Sequence, residues 1–433
     1  MVTASESGAI GTGGVAPVAV GRSAMMAMLL VAYTLNFIDR QIIGILAEPI
    51  KEDLGLSDSE LGWMGGAAFA LFYTSLAIPI ARLADRRDRS WIVAIGLALW
   101  SLMTAVCGLA TNFWQLFLAR MGVGVGEAAG VAPAYSLISD LYPPQQRARA
   151  LAFYSLGIPI GNSAGVVFGG VMAAQVDWRW AFFTIGLAGV LFAPFFKMVV
   201  KDPGHRHPAG ETRAAPPTLG TVFRILARKP AFWLLSFGAG TSSLVAYGFA
   251  FWLPSLLARS YGLELVDRSL LFGAVLLVGG TIGIMLGGIL GDRLGSSHPR
   301  GYALVPGAAF VLILPIYLLA FNLDDLWLAT PLFVIGNALA LTWLGPVVTA
   351  ITNLVPADMR ATASAAFLFI NNLVGLGLGT AVIGMISDAL SAQYGAESLR
   401  YSAMVVACLY ALAALLMLLA ARRLERDWYR GTA

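Results

Sequence analysis

The sequence predicts an all-α membrane protein whose chain crosses the bilayer twelve times, in two halves of six. Three observations predict it. Of 433 residues 58% are hydrophobic and only 12% charged, and the mean hydropathy is +0.77, well above that of a soluble domain. The apolar residues fall in blocks close to the ~20 residues that a helix needs to cross ~30 Å of hydrocarbon. One long polar stretch, 201–229, interrupts the blocks near mid-chain.

Residues 1–22 are rich in Gly, Ala, Ser and Val, carry only Glu6 and Arg22 as charges and show no helical period, which predicts a disordered tail. The first apolar block, 24–47, is too long for the core of a signal peptide and contains Asp39 and Arg40, so it reads as an uncleaved helix. Further blocks at 61–84, 91–111, 113–139, 148–173 and 178–200 complete an N-terminal bundle over 23–200. The linker 201–229 holds Pro203, His205, His207, Pro208, Pro216 and Pro217. At its end Leu219, Val222, Phe223 and Leu226 recur at helical spacing opposite Arg224 and Arg228, as in a short helix lying on a membrane surface. Two histidines without a third ligand do not make a metal site, and no cofactor is expected. Blocks at 231–257, 269–291, 301–321, 327–354, 361–387 and 401–421 form a C-terminal bundle over 230–421, with a tail at 422–433.

Charge placement tests this count. With both termini in the cytoplasm, 21 of the 28 Lys and Arg fall in cytoplasmic segments or the span ends beside them, 5 on the external side, and Arg40 and Arg120 alone are left inside spans away from their ends. That orientation predicts a multi-pass protein of the cell (inner) membrane with both tails cytoplasmic. It also explains the pI of about 9.1 without nucleic acid, because the basic residues are spread over loops and tails instead of gathered on one face. Cys107 and Cys408 both lie in apolar blocks and give no disulfide framework. There is no H-E-x-x-H, no G-x-S-x-G and no P-loop, so neither an enzyme nor ATP-driven transport is expected.

The residues that call for a chemical reason are charges inside spans. Asn36-Phe37-Ile38-Asp39-Arg40 places an amide, an acid and a base within the first helix, where each charge costs about 2.5–3.5 kcal/mol in hydrocarbon. Such residues face a protein interior or a water-filled pathway. Arg120 and Glu127 are seven residues apart on the fourth span, hence on one helical face about 10.5 Å apart, beside Gly122, Gly124 and Gly126. Counting depth along each helix puts Asp39 and Glu127 near mid-membrane with Arg40 and Arg120 a little outside, so two acids and two bases can share one cavity. Asp39 and Glu127 are the expected proton carriers. Arg40 and Arg120 are expected to hold an anionic head-group or to serve as counter-ions to the acids. Tyr33, Asn36, Tyr247, Trp252, Trp343, Asn371 and Asn372 are the expected cavity lining, charged on one side and greasy on the other, which suits an amphipathic anion.

An internal repeat relates the halves: Ala81-Arg82-Leu83-Ala84-Asp85-Arg86 follows the second span and Gly288-Ile289-Leu290-Gly291-Asp292-Arg293 follows the eighth. In this twelve-span setting the chain resembles the major facilitator superfamily, whose loop between the second and third helices carries a G-x-L-a-D-R-x-G-R signature; here Ala81 and Asp88 stand where glycines are usual. The resemblance implies two six-helix bundles related by pseudo-two-fold symmetry around a central cavity, working by alternating access. It also implies that Asp85, Arg86 and Arg89, with Asp292 and Arg293 in the second copy, gate one access state. Leu116 to Ala129 is similar to the superfamily's fourth-helix signature, built around Arg120. The N-aromatic-x-D-R stretch at Asn36–Arg40, taken with Arg120 and Glu127, resembles the spinster family of lipid transporters. That likeness implies a proton-coupled carrier, acting as a monomer, of a lipid such as a lysophospholipid or a sphingoid phosphate. A carrier of small organic anions or drugs is the alternative, and a non-transporting receptor or scramblase a further one. Gly157, Gly161, Gly165 and Gly169 on the fifth span, and Gly279, Gly283, Gly287 and Gly291 on the eighth, form two stripes expected to meet between the halves as a sliding contact.

Overall fold

Helices are the only regular elements among the described residues of the structure, a computed structural model that describes residues 19–84, 86–203, 219–356 and 359–429. Ten stretches are long and apolar enough to cross a membrane. The last of these, Thr362–Asp427, folds back at Gly395, whose φ of 53° favours glycine, and so crosses twice. The fourth span is left out by length because it is broken into Phe113–Glu127 and Val131–Leu141, and it brings the crossings to twelve. The first helix already runs from Ala19 and the last continues to Asp427, so both ends of the helical body lie beyond the boundaries at 22 and 421. The expected tail at 1–18 and most of the proline-rich linker lie outside the described residues.

Short polar caps turn the chain between spans. Ser57 and Glu60 form a reciprocal capping box at the start of the second span, Asp58–Ala84. Asp88, Asn112, Asp177 and Asp325 each accept a backbone N–H at the start of the third, fourth, sixth and tenth spans. At Asp88 burial opposes the charge, but hydrogen bonds from Ser90, the Trp91 N–H and Lys197 outweigh it and hold the carboxyl below its ordinary range.

The glycine stripes pack differently from the expectation. A side chain at Gly161 or Gly165 would meet the backbone of the first span at Thr34 or Ile38, so the fifth-span stripe is a seam inside the first half. The eighth-span stripe presses on the tenth span, where a Cβ at Gly283 would lie 2.1 Å from the Ala338 carbonyl. The fifth and eighth spans do meet, but through Ser163, Val167 and Gly170 on one side and Ser269 and Gly273 on the other. A stripe of small residues licenses close approach without choosing the neighbour.

The face opposite the chain termini, called here the far face, is closed between the halves. Asp58 at the head of the second span accepts two hydrogen bonds of 2.7 Å from Arg259 of the seventh span, Pro230–Tyr261, and one from Lys51. Glu48 pairs with Arg259 at 2.7 Å. Asp388 of the eleventh span, Arg360–Tyr394, accepts the backbone N–H groups of Asp58 and Ser59, so an acid of one half caps a helix of the other. Below this, Trp63–Ala67 forms a π-helical turn that presses the second span onto the eleventh: Thr380 donates its hydroxyl to the Gly62 carbonyl at 2.6 Å. On the terminal face the corresponding segments, Val131–Leu141, Pro144–Ser155 and Leu344–Thr352, pack chiefly within their own halves. The cleft between the bundles therefore opens towards the termini.

Candidate functional site

The charged residues of the spans come together in one chamber of the first half, on the wall of that cleft. Asp39 is 1% exposed, and its two carboxyl oxygens lie 2.7 and 2.6 Å from the Thr104 hydroxyl of the third span, Arg89–Cys107. The same hydroxyl is 3.0 Å from the Trp100 carbonyl. It can donate to a charged Asp39, or turn to Trp100 and accept from a protonated one, so the pair suits both states.

Arg40 donates Nε–H to Glu127 Oε2 across 2.7 Å. Its guanidinium carbon lies 4.6 Å from the ring centre of Tyr73, 4.9 Å from Phe69 and 5.2 Å from Phe37, a three-sided aromatic surround that favours a cation. Glu127 is fully buried, while the Arg40 side chain keeps 13% exposure, so the cation is the member of the pair that reaches the cleft. Tyr247 of the second half lies close enough to act on its charge. Arg120, 1% exposed, lies 5.6 Å from the Phe69 ring, and its Nε and Nη1 have no protein partner among the described residues. Among the described residues Glu127 Oε1 and Asn36 Oδ1 have no donor either, although the Asn36 side chain lies within hydrogen-bonding reach of Glu127. Buried polar atoms are nearly always satisfied, so this group of donors and acceptors is arranged for a ligand or solvent.

Tyr33 stacks on Tyr154 at 4.2 Å, with Tyr135 edge-on at 5.7 Å, and forms an aromatic wall on the terminal side of the chamber. The second half contributes fewer lining residues than the sequence implied. Trp252 is 1% exposed and donates its indole N–H to the Thr380 carbonyl, which makes it part of the far-face seal instead of the lining. Trp343 is buried edge-on against Phe367, and Asn371 is buried accepting from Ser243, so both are packing groups within their bundle. Tyr247 and Asn372 remain partly exposed.

The expected gating residues are dispersed. Asp85 lies outside the described residues. Arg86, Asp292 and Arg293 are exposed and hold no ion pair among the described residues. Arg89 is fully engaged, but with Asp140 and Ser136 of its own bundle and Asp202 at the start of the linker, so it ties the first bundle to the linker and does not bridge the two bundles. Sequence reasoning missed Thr104, Phe69 and Tyr73. The aromatic pair, four residues apart on one helical face, was the available signal.

The Major Facilitator Superfamily model matches residues 29–377. The chain is 34% identical over 405 residues to an MFS-type efflux pump of Mycolicibacterium smegmatis, covering 93% of this chain and 94% of that one. It is 31% identical to protein spinster homolog 1 of Xenopus tropicalis, covering 92% of this chain and 80% of that one. It superposes with a TM-score of 0.88 and 31% identity, over 97% of this chain and 100% of the other, on a bacterial homolog of the human lysosomal transporter Spinster in an inward-facing, unoccupied conformation. These likenesses describe a transporter and leave the receptor and scramblase readings without support. The chain belongs to the Major Facilitator Superfamily and is a spinster-like transporter within it.

Proposed function

We propose that the protein is a proton-coupled secondary transporter that moves an amphipathic lipid with an anionic head, of the lysophospholipid or sphingoid phosphate kind, by alternating access. The observation that carries this reading is the position of Arg40, bonded to the buried Glu127 on one side and open to the cleft on the other. A phosphate head that takes the Arg40 guanidinium competes with Glu127 for it. Guanidinium matches phosphate bidentately, a geometry a compact ammonium does not reproduce. Low-dielectric surroundings favour the neutral carboxyl and a nearby guanidinium favours the carboxylate, so withdrawing Arg40 leaves Glu127 ready for a proton. Binding of anion and proton then support each other.

In this reading Asp39, with Thr104, is the second proton site, and Arg120 is the reserve cation between the two acids. The lipid tail lies towards Tyr247 and the aliphatic wall of the second half. The charge distribution supports a cytoplasmic terminal face in the cell (inner) membrane, which makes the cleft inward-facing. The gating residues Asp85, Arg86, Asp292 and Arg293 would then engage when that face closes. Each chain holds a whole site, in keeping with action as a monomer.

Reconstituted liposomes test this: uptake of a lysolipid should respond to an imposed pH gradient and exceed that of a soluble organic anion. Uptake indifferent to the gradient would remove the coupling. The efflux-pump relative supports a second reading, a proton-coupled exporter of small organic anions or drugs. That reading wins if the soluble anion is the better substrate.

A further inference from the structure

We propose that the linker helix Leu219–Ala227 and the terminal end of the eleventh span form a binding site for an anionic phospholipid of the surrounding bilayer, separate from the transport cleft. The helix lies across the ends of the seventh and eleventh spans and anchors itself by Val222 and Leu226, both essentially fully buried. Beside it runs a groove of about 360 Å³ lined by Gly220, Val222, Phe223, Leu226, Thr362 and Ala366. The lining is almost wholly apolar, and a side chain added at Gly220 would meet nothing within 4 Å. Phe223, 56% exposed, sets its edge on Trp233 at 6.0 Å, and Trp233 in turn lies nearly parallel to Phe237. This aromatic strip descends the outside of the seventh span, where a membrane places such rings at the level of the headgroups and below.

Charge completes the site. Arg224 and Arg228 are exposed, one helical turn apart, and neither holds an ion pair among the described residues. Lys229 differs, since it donates to the Asp427 carbonyl and sits beside that residue's carboxylate. Two exposed guanidinium groups on the same helix that walls an apolar groove select a ligand with a phosphate at one end and an acyl chain at the other. In a chain that spans a bilayer that ligand is a lipid of the leaflet at the terminal face. One wall is the linker helix and the other is the eleventh span, so the lipid is a resident of that outer face and is not cargo. This site does not depend on the transport reading above.

The test uses the full chain in phosphatidylcholine nanodiscs containing a trace of phosphatidylglycerol with a diazirine in its acyl chain. After photolysis, adducts mapped by mass spectrometry should concentrate in 220–226 and 362–366. Arg224→Gln and Arg228→Gln should each cut that labelling about fivefold. Ala366→Trp, which fills the groove and leaves both arginines, should cut it as well, and all three variants should elute as the parent does. Equal labelling by a phosphatidylcholine probe of the same chain, labelling spread evenly over all spans, or labelling unchanged in the arginine variants would overturn the site.

Discussion

Asp58 and Arg259, 201 residues apart in the chain, join the second span to the seventh through two hydrogen bonds of 2.7 Å, and this pair is the centre of the far-face seal. Asp58 is buried, so removing Arg259 takes away two of its bonds and leaves Lys51 and Ser387 alone to meet its charge, at a cost of about 3 kcal/mol. Arg259→Gln should therefore move the balance between access states by on the order of a hundredfold towards opening on that face. Spin labels at Glu52 and Asp324, both exposed on that face, should show a longer distance in the variant. An unchanged distance distribution would leave the seal to the helix contacts alone.

Asp39→Asn and Glu127→Gln should abolish accumulation driven by a proton gradient while leaving exchange of substrate across the membrane measurable. Counterflow in liposomes separates the two processes. Full gradient-driven uptake in both variants would end the assignment of these acids.

Thr104→Val keeps the shape of the third span but takes away the hydroxyl that serves Asp39 in either protonation state. A buried acid without its partner loses about 1–3 kcal/mol of support, so uptake should fall about tenfold or more. Thr104→Ser, which restores the hydroxyl, should recover most of it. A valine variant as active as the parent would show that Asp39 works without this hydroxyl.

Gly283→Leu should destabilise the second bundle outright, because even a Cβ there collides with the Ala338 carbonyl. The expected readout is a lower melting temperature. The contact between fifth and eighth spans lies elsewhere, so cysteines at Val167 and Gly273 should cross-link in this state, whereas cysteines at Gly161 and Gly283 should not. The reverse pattern would reinstate a contact between the two stripes.

Membrane burial made much of this legible in advance. Apolar block length located the spans because hydrocarbon thickness fixes it, and Asp39, Arg40, Arg120 and Glu127 stood out because charge is costly there. The seven-residue spacing put Arg120 and Glu127 on one face, and both are buried in one chamber. What stayed hidden was partner choice. Thr104 looks like any small polar residue in an apolar helix, and nothing local tells that Arg40 chooses Glu127 while Thr104 serves Asp39. The bond from Asp58 to Arg259 joins two loop-end charges that topology alone brings together. The misplaced glycine stripes and Trp252 failed for the same reason: period and composition say how closely a residue packs, and tertiary structure decides against what.

Every charge deep in the spans, Asp39, Arg40, Arg120 and Glu127, belongs to the first half, and the second half offers the chamber little beyond Tyr247 and aliphatic surface. The two bundles therefore meet different physical demands. Substitutions that widen, narrow or reshape the second half's wall can change the shape of cargo accepted without touching the charged cluster opposite. A hybrid joining this first half to the second half of a relative is accordingly a route to altered cargo with the charged cluster intact.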